Sequence, residues 1–477
     1  MRTLLQVLSE EERHQVHERT LGVLAKTGVR VDTAQGRRFL KDAGAEVDEN
    51  RHIVRFPRAL VEESLRLAPK EFTLGASRPG WDLTMNGGDC TLLMDGEAMF
   101  VLDPESGERR TATNKDWLQA TLLIDALDEI GVYWSMVEVS DRDDTMAGYV
   151  AYLRTLFQTF TKHVQDSTST VEQARWLLEV LQAIFGDKET IRHRHPYSHL
   201  LCPQSPLIIE GPHTDAYLAL AGWDIPVAVM PMPLMGATAP GSLISTTVVG
   251  NCEVLATLCL IQAAAPGTPF LYAPVLAVID PRSGRYSAGA IEGSLLGAAC
   301  TEMARYYGLP AEASGMGTDH HVPGIQAGYE RAVGGMLPAL SWPDILVGPG
   351  LLGGSMILSL EQLMIDVEVF RLYKRAWQGI NIDDDKWLED VLDQVGPGGN
   401  FLAEMSTVKG IRNGEWYISQ IGVHDTFEGW EAAGRPMLLE EVREKVRQIL
   451  ATHKPLPLDD GVERELERIQ IEAEAES

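Results

Sequence analysis

The sequence predicts an α/β protein built on a (β/α)8 barrel, with an N-terminal α+β cap and C-terminal helices. From residue 114 onward, short apolar segments alternate with helical stretches at intervals of roughly 30–45 residues. The predicted loops that follow several of these segments share a composition rich in Gly, Pro, Met and Ser. A chain of 477 residues with 45% hydrophobic residues can also bury a large core. These three observations together favour a barrel.

Seven segments have the length and composition of buried strands, and each is flanked by predicted helices. They are Val132–Val137, Thr161–Gln165, His199–Cys202, Pro226–Met230, Pro269–Tyr272, Ala311–Ala313 and Asp344–Val347. An eighth strand is expected nearer the N-terminal part. Repeated right-handed βα units of this number favour a closed barrel over an open sheet.

Three domains are predicted, with bounds at 1–113, 114–380 and 381–477. In the first, the capping box Ser9–Glu12 opens a helix that runs to about Lys26. The segments Phe72–Ala76, Thr91–Met94 and Ala98–Leu102 are interpreted as hairpin strands of the cap. The second domain is the barrel core. The third is a C-terminal helical extension rich in acidic residues.

The net charge of −27 argues against nucleic acid as a partner, because phosphate binding needs a basic surface. Such a charge is compatible with a cationic substrate, but it is more typical of an acidic surface that keeps a protein soluble. No long uncharged apolar run or signal peptide is apparent. Five scattered cysteines without a C-x-x-C pair are typical of a reduced compartment. We therefore expect a cytoplasmic protein with no membrane partner.

Four predicted loops carry the composition of a binding site: Cys202–Pro206, Pro231–Thr238, Ser314–His321 and Gly348–Ser355. Glycine lets backbone approach a ligand closely, and methionine lines a site with polarisable apolar surface. The third loop is the most informative, because it places two glycines, a carboxylate and two imidazoles within eight residues. Tight turns alone could explain any one of these loops, but four at one end of a barrel predict a site.

Other chemistries find less support. Gly348–Gly353 matches G-x-G-x-x-G, but a predicted helix follows where a dinucleotide site needs a second strand ending in an acid. His193–His199 lies among arginines and lacks a carboxylate, which favours a solvated loop or interface over a metal site. His163 could face the barrel mouth or be a hydrogen-bonded structural residue. No metal site is predicted.

Many segments resemble, in order, those of the trimethylamine–corrinoid methyltransferase family. They are the opening helix, Phe72–Asp103, Leu200–Leu207, Asn251–Leu255, Glu292 with its glycine neighbours, Ser314–His321, Gln326–Glu330, Met336–Leu340, Ser359–Asp366 and Gly399–Leu402. The resemblance implies a (β/α)8 barrel that moves a methyl group from an amine to the cobalt of a separate corrinoid protein. Met316 stands where the amine-using members have pyrrolysine. This implies the non-pyrrolysine branch, which includes glycine betaine methyltransferases and others acting on proline betaine, carnitine or γ-butyrobetaine.

Methyl transfer to Co(I) is a nucleophilic displacement, and a quaternary ammonium leaves as a neutral tertiary amine without further activation. The expected substrate is therefore a quaternary amine, foremost glycine betaine, with dimethylglycine as product. Proline betaine, carnitine, γ-butyrobetaine, choline and trimethylamine stay open as substrates. A lyase or hydrolase would need a metal or phosphate cluster, which is not found. A non-catalytic amine-binding protein also stays open. The resemblance implies a corrinoid protein as partner, and we expect no tightly bound cofactor and a homo-oligomer.

Candidate site residues follow from this chemistry. No side-chain acid or base is expected, and Asp319 and Glu292 are assigned to positioning. His320 and His321 are the candidates for binding a substrate carboxylate. Glu253 and Glu292 are candidate cation partners, Tyr272 and Trp342 are candidate aromatic faces, and Met316 is a candidate lining residue. The candidate corrinoid-facing glycines are Gly236, Gly315, Gly317, Gly350 and Gly353.

Overall fold

A closed parallel barrel forms the centre of the protein. The computed structural model describes residues 4–85 and 87–476. In chain order the barrel strands are β1 Thr91–Leu93, β2 Ile130–Tyr133, β3 His163–Asp166, β4 Tyr197–Leu201, β5 Val227–Val229, β6 Phe270–Tyr272, β7 Glu312–Ser314 and β8 Ile345–Val347. Each pairs in parallel with its neighbours in the order β6-β5-β4-β3-β2-β1-β8-β7. A parallel bridge between Tyr272 and Ala311 joins β6 to β7 and closes the circle. The predicted (β/α)8 barrel is confirmed.

Strand β1 is the eighth strand that was expected in the N-terminal part. It pairs with β8 through Leu92 and Leu346, and with β2 through Leu92 and Ile130. The interpretation of Thr91–Met94 as a hairpin strand of the cap was therefore wrong. A three-residue strand buried between two parallel neighbours has no alternating pattern that would separate it from a hairpin strand. The three-domain division stays a prediction, and the segment 1–113 supplies a barrel strand.

A β-hairpin packs into the barrel interior from the amino-terminal ends of the strands. Strands Phe72–Leu74 and Leu83–Met85 are antiparallel, and their side chains cluster with inward-facing barrel residues such as Leu93, Leu200 and Leu271. Arg78, in the turn of this hairpin, donates its backbone N–H to the carbonyl of Thr161, just before β3. The hairpin therefore plugs the amino-terminal end of the barrel and leaves the opposite end open.

The helix Leu243–Ala264 lies at the centre of the helical layer. It packs against the N-terminal helices Glu10–Lys26, Ala34–Asp42 and Arg58–Leu67. The predicted capping box is present, since Ser9 and Glu12 bond reciprocally at the start of the first helix. By length and apolar composition Leu243–Ala264 could span a membrane, but 78% of its apolar window is buried inside the protein. It has the burial of a core helix.

The other elements surround the barrel or extend from it. The helices of the middle region are Asn114–Ala126, Met146–Thr159, Val171–Phe185, Lys188–Arg194, Pro212–Leu218, Ile291–Tyr306, Ile325–Gly334, Met336–Leu340 and Leu360–Gln378. The C-terminal helices are Glu389–Val395, Met405–Arg412, Phe427–Ala432, Leu438–Thr452 and Asp460–Glu476, with a 3₁₀ turn at Asp384–Lys386. The small sheets outside the barrel contain Val29–Val31, Glu46–Asp48, Ile53–Arg55 and Ile208–Ile209; Phe100–Leu102, Arg109–Thr111, Leu351–Leu352 and Ile357–Leu358; and Leu234–Met235, Ala277–Ile279 and Tyr286–Ser287.

Candidate active site at the carboxyl ends of the barrel strands

A cavity of about 420 Å³ opens at the carboxyl ends of the barrel strands. Residues that follow seven of the eight strands line it, which is the position of active sites in (β/α)8 enzymes. The lining residues are Asp95, Gly96, Glu97, Trp134, Cys202, Pro203, Met230, Met232, Val275, Leu276, Ala277, Tyr286, Ser287, Ala288, Gly293, Ser294, Ser314, Gly315, Met316, Gly317, Val347, Gly348, Gly354, Ser355 and Met356. Each of the four loops predicted from composition contributes to this cavity.

Two carboxylates from the loop after β1 face the cavity. Asp95 accepts a hydrogen bond from the hydroxyl of Ser355, and burial raises its pKa above the ordinary value. Although Glu97 is exposed at the cavity, desolvation by the surrounding protein, together with the nearby carboxylates of Asp166 and Glu138, raises its pKa to about 8. The environment of the empty cavity therefore shifts both groups towards the neutral form, and a cation placed beside them would favour the ionised form.

A chain of buried polar side chains crosses the barrel interior beneath this cavity. Glu312 lies 3.2 Å from the amide nitrogen of Gln165, and Gln165 lies 3.2 Å from the hydroxyl of Ser198. Ser198 Oγ is 2.9 Å from His163 Nε2, and His163 Nδ1 is 3.0 Å from the carbonyl of Gly75. His163 is thus the structural residue that sequence reasoning had left as one of two options. It lies inside the barrel and not at its mouth.

The direction of the hydrogen bonds decides the charge of this chain. If the Gln165 amide donates to Glu312, His163 must donate from both nitrogens and carry a positive charge. Burial lowers the pKa of His163 to about 4 and raises that of Glu312 to about 8, so both prefer to be neutral. With the Gln165 amide turned over, Glu312 donates to Gln165, Gln165 to Ser198, Ser198 to His163, and His163 to Gly75. Every group is then neutral and paired.

Apolar and aromatic groups form most of the remaining wall. Met230 and Met232 follow β5, Met316 follows β7, and Trp134 follows β2. Met316 is fully buried and lines the cavity, as the sequence had suggested. Sulfur and aromatic faces are suited to an N-methyl group, because they are polarisable and need no hydrogen bond.

Arg331 holds the loops after β7 and β8 together. Its guanidinium is fully buried and lies 2.8 Å from the carboxylate of Asp366. The same group donates to the backbone carbonyls of Met316, Gly348 and Leu351. One side chain therefore fixes the position of Met316 relative to the loop that follows β8. Sequence reasoning missed Arg331, although it directly follows the family-like segment Gln326–Glu330 on the same helix.

Asp319 lies outside the cavity and accepts hydrogen bonds from residues of its wall. Its carboxylate accepts from the Ser287 hydroxyl at 2.5 Å and from the Ala288 N–H at 2.7 Å, and both of those residues line the cavity. Glu330 in turn accepts from the Thr318 hydroxyl at 2.5 Å and the Asp319 N–H at 3.0 Å. Asp319 and Glu330 are therefore occupied in positioning these loops, and Asp319 is not among the lining residues.

The predicted carboxylate binders lie outside the lining. His320 Nδ1 is 2.7 Å from the carbonyl of Val322, and the exposed His321 packs beside Gly353. Glu292 is exposed in the first turn of helix Ile291–Tyr306, next to the lining residue Gly293. The roles predicted for these three residues stay predictions, and the structure brings none of them into the cavity wall.

Three other candidates have structural partners instead. Glu253 accepts from the Ser205 hydroxyl and the Leu207 N–H, and so holds the loop after β4. Tyr272 donates to Asn251 in the core, because Leu271 faces the barrel interior and the next side chain of a strand points the other way. Trp342 packs edge-on against Trp377 with ring centroids 4.6 Å apart. It precedes β8 and therefore lies at the end of the barrel opposite the cavity.

The predicted corrinoid-facing glycines divide into two groups. Gly315 and Gly317 line the cavity. Gly236, Gly350 and Gly353 lie outside the lining. Gly350 instead donates its N–H to Asp366 at 2.7 Å.

Gly348 follows β8 with φ of 129°, and a Cβ on it would lie 3.0 Å from the backbone nitrogen of Met316. Gly348→Ala is expected to lower the free energy of unfolding by about 1–3 kcal/mol, because both the backbone angle and the contact are strained. Urea unfolding would measure this. Gly328→Ala is the matched control, since a Cβ there meets nothing within 4 Å. A Gly348→Ala variant as stable as that control would contradict the expectation.

Sequence reasoning also missed Asp95 and Glu97, the two carboxylates of the cavity lining. The signal was present, because Asp-Gly-Glu directly follows Thr91–Met94, and polar residues after a barrel strand belong to the active-site face. Taking that strand as part of a hairpin hid it. Among residues 4–85 and 87–476, no group of three His, Cys, Asp or Glu side chains is placed to hold a metal ion.

Comparison with known proteins agrees with this geometry. Residues 2–476 match the family model described as trimethylamine methyltransferase (MTTB). The trimethylamine methyltransferase MttB of Methanosarcina barkeri is 30% identical over 476 residues, covering 98% of this chain and 95% of that protein. The glycine betaine methyltransferase of Desulfitobacterium hafniense is 28% identical over 463 residues, covering 97% and 95%.

Among solved structures, the hydroxylamine complex of MtmB superimposes with a TM-score of 0.51 at 12% identity, covering 96% of this chain and 92% of that one. The monomethylamine methyltransferase MtmB of Methanosarcina barkeri gives 0.50 at 11% identity, covering 97% and 92%. These two likenesses concern the fold alone. The family match over almost the whole length carries the assignment, and the chain is a methyltransferase that belongs to the trimethylamine methyltransferase (MttB) family.

Proposed function

We propose that this methyltransferase moves a methyl group from a small quaternary amine to the Co(I) of a corrinoid carried by a separate protein. The tertiary amine is the second product. We further propose that the enzyme works in the cytoplasm, as a homo-oligomer and without a tightly bound cofactor of its own. The observation that carries the proposal is the cavity, where Asp95 and Glu97 face a wall of methionine and aromatic side chains.

The corrinoid is a substrate here, and its Co(I) supplies the electron pair that forms the new bond to the methyl carbon. The C–N bond breaks, and its electrons stay on nitrogen. No proton needs to move, because the quaternary nitrogen becomes a neutral amine. The protein's task is to hold the methyl group in line and to exclude water.

The residues around the cavity suit that task. The carboxylates of Asp95 and Glu97 can neutralise the ammonium, and the methionines can contact its methyl groups. Gly315, Gly317, Gly348 and Gly354 leave backbone uncovered in the loops around the opening, so that a flat macrocycle can approach. Positive charge leaves the amine in the transition state, so a moderate cation site serves catalysis better than a very tight one.

The resemblance and the relatives suggest several amines. Relatives of this chain bear the names trimethylamine methyltransferase and glycine betaine methyltransferase. Met316, where the resemblance implies pyrrolysine in amine-using members, favours a quaternary amine over trimethylamine. Glycine betaine, giving dimethylglycine, is the expectation from the resemblance.

The test is an anaerobic assay with the purified chain, cob(I)alamin and a panel of glycine betaine, choline, tetramethylammonium and trimethylamine. Loss of the Co(I) absorbance and formation of methylcobalamin are expected with at least one quaternary amine, and not with trimethylamine. A reaction without protein corrects for direct alkylation of cobalt. If no quaternary amine methylates either cob(I)alamin or a reduced corrinoid protein, the proposed function is wrong.

A further inference from the structure

The ionisable side chains of the cavity lining are mainly acidic, and none of them is basic. The lining, which lies wholly within the described part of the chain, includes two carboxylates and no lysine, arginine or histidine. Glu312 lies beneath the floor near Cys202 in the lining, and it is neutral in the hydrogen-bond chain that crosses the barrel interior. The negative groups suit an ammonium, but a carboxylate on the same substrate would face them without a cationic partner.

Two arginines that interact with residues of the cavity wall are not themselves in the lining. Arg331 pairs with Asp366 and with backbone carbonyls. Arg142 lowers the pKa of Glu97, and its guanidinium carbon lies 4.3 Å from the ring centre of Tyr152, while its Nη2 is buried without a hydrogen-bond partner among the described residues. It is not a lining residue. A carboxylate in the cavity would therefore find no free cationic side chain in its wall.

The lining also contains hydroxyl groups, and two of them already donate to carboxylates. The Ser355 hydroxyl is directed to Asp95, and the Ser287 hydroxyl to Asp319. The hydroxyls of Tyr286, Ser294 and Ser314 belong to lining residues, and they can meet a neutral polar group such as an alcohol. These hydroxyls can bond to the hydroxyl of a substrate, and they carry no positive charge that would balance a carboxylate.

We propose that the substrate is a quaternary ammonium ion whose other groups are uncharged, of the choline or tetramethylammonium type, and not a betaine. The inference rests on the proposed function and narrows it. It replaces glycine betaine as the expected substrate, because the cavity wall offers anions at the ammonium and no cation for a carboxylate. It also assigns Asp95 and Glu97, which sequence reasoning missed, to substrate recognition.

The ionisation of Glu97 gives this assignment a pH signature. The charged groups that act on it are Asp166, Glu138 and Arg142, and the carboxylate of Asp95 shares the cavity. With a pKa of about 8 in the empty site, Glu97 is mainly protonated at neutral pH. A bound cation favours the ionised form, so binding below pH 8 releases a proton and tightens as the pH rises. A bound betaine carboxylate would favour protonated Glu97, and its affinity would fall as the pH rises.

Calorimetric titration of the full-length protein tests both statements without a corrinoid. Choline, tetramethylammonium and glycine betaine would be titrated at pH 6.5 and 8.5, in buffers with different ionisation enthalpies to count released protons. Choline is expected to bind at least about tenfold more tightly than glycine betaine at pH 8.5, and more tightly there than at pH 6.5. Glu97→Gln is expected to weaken choline binding about tenfold or more.

Glu172→Gln is the matched control, since it removes the same charge from an exposed helix start outside the cavity lining. It should bind choline as the wild type does. Comparing the affinities of the wild-type protein for tetramethylammonium and for glycine betaine keeps the test independent of any variant. Tighter binding of glycine betaine than of both uncharged-tail ions overturns the proposal, as does a folded Glu97→Gln variant with unchanged choline affinity.

The cobalt assay separates this inference from the proposed function. If choline binds in a Glu97-dependent way but no amine methylates the corrinoid, the proposed function fails and the binding assignment holds. If glycine betaine is methyl donor with a higher kcat/KM than choline, the proposed function holds and the substrate assignment fails. Selective loss of that betaine activity in His320→Ala or His321→Ala would then restore the role predicted for those histidines.

Discussion

Arg331→Met is expected to lower the free energy of unfolding by about 3–5 kcal/mol. The substitution leaves the Asp366 carboxylate fully buried, with only the Gly350 N–H and the Gln362 amide as partners. It also removes the donor from the backbone carbonyls of Met316 and Gly348, and such unpaired buried groups cost about 1–3 kcal/mol each. Urea unfolding, followed by circular dichroism, measures the loss.

Two companion variants make this prediction specific to the buried pair. The double variant Arg331→Met with Asp366→Leu is expected to recover part of the stability, because it removes the unpaired charge. Arg468→Met, which breaks exposed ion pairs on the last helix, is expected to change stability by no more than about 0.5 kcal/mol. The explanation fails if Arg331→Met alone is as stable as Arg468→Met.

Glu312→Gln is expected to stabilise the protein at alkaline pH. The side chain is buried in the barrel, and burial raises its pKa from 4.5 to about 8. A raised carboxyl pKa means that the folded state holds the proton more tightly than the unfolded state. Wild-type stability from this group is therefore full below pH 4.5 and is lost as the pH rises towards 8. Glutamine stays neutral, so its advantage should grow across that window to a few kcal/mol, at about 1.4 kcal/mol per pKa unit.

The comparison needs unfolding curves for both proteins at pH 5 and pH 9. The difference between the two proteins isolates Glu312 from every other titrating group, and Glu172→Gln controls for the loss of one negative charge. Glutamine can take the place of Glu312 in the neutral hydrogen-bond chain by donating to Gln165. A variant that is less stable than the wild type by a constant amount at both pH values would show instead that Glu312 is ionised and paired.

Much of the fold could be predicted because most barrel strands are recognisable from a short, local stretch of sequence. Segments such as Pro226–Met230 and Asp344–Val347 are short, apolar and flanked by helices, and each became a barrel strand. The segment Thr91–Met94 has the same character, but its neighbours Ile130 and Leu346 lie far away in sequence. Parallel pairing partners are set by the closure of the whole barrel, which no local pattern encodes.

The sequence predicted the position of the site better than it predicted the side chains that line it. Loop composition pointed to the four loops that now contribute to the cavity, and Met316 lies in its wall. The direction in which a polar side chain points was not predictable. Asp319 looks like a ligand-binding residue in sequence, yet its carboxylate faces Ser287 and Ala288. Glu253 likewise faces a backbone N–H and a hydroxyl of the loop it supports.

The sequence by itself determined the alternation of strands and helices, the active-site end of the barrel and the family resemblance, because these depend on residue order and composition. Only the tertiary structure decided which charges meet. It placed Asp95 and Glu97 in the cavity, left the described lysine, arginine and histidine side chains out of its lining, and paired Arg331 with Asp366. The physical reason is that electrostatic interactions depend on distances and burial between residues far apart in the chain, and folding alone sets those distances.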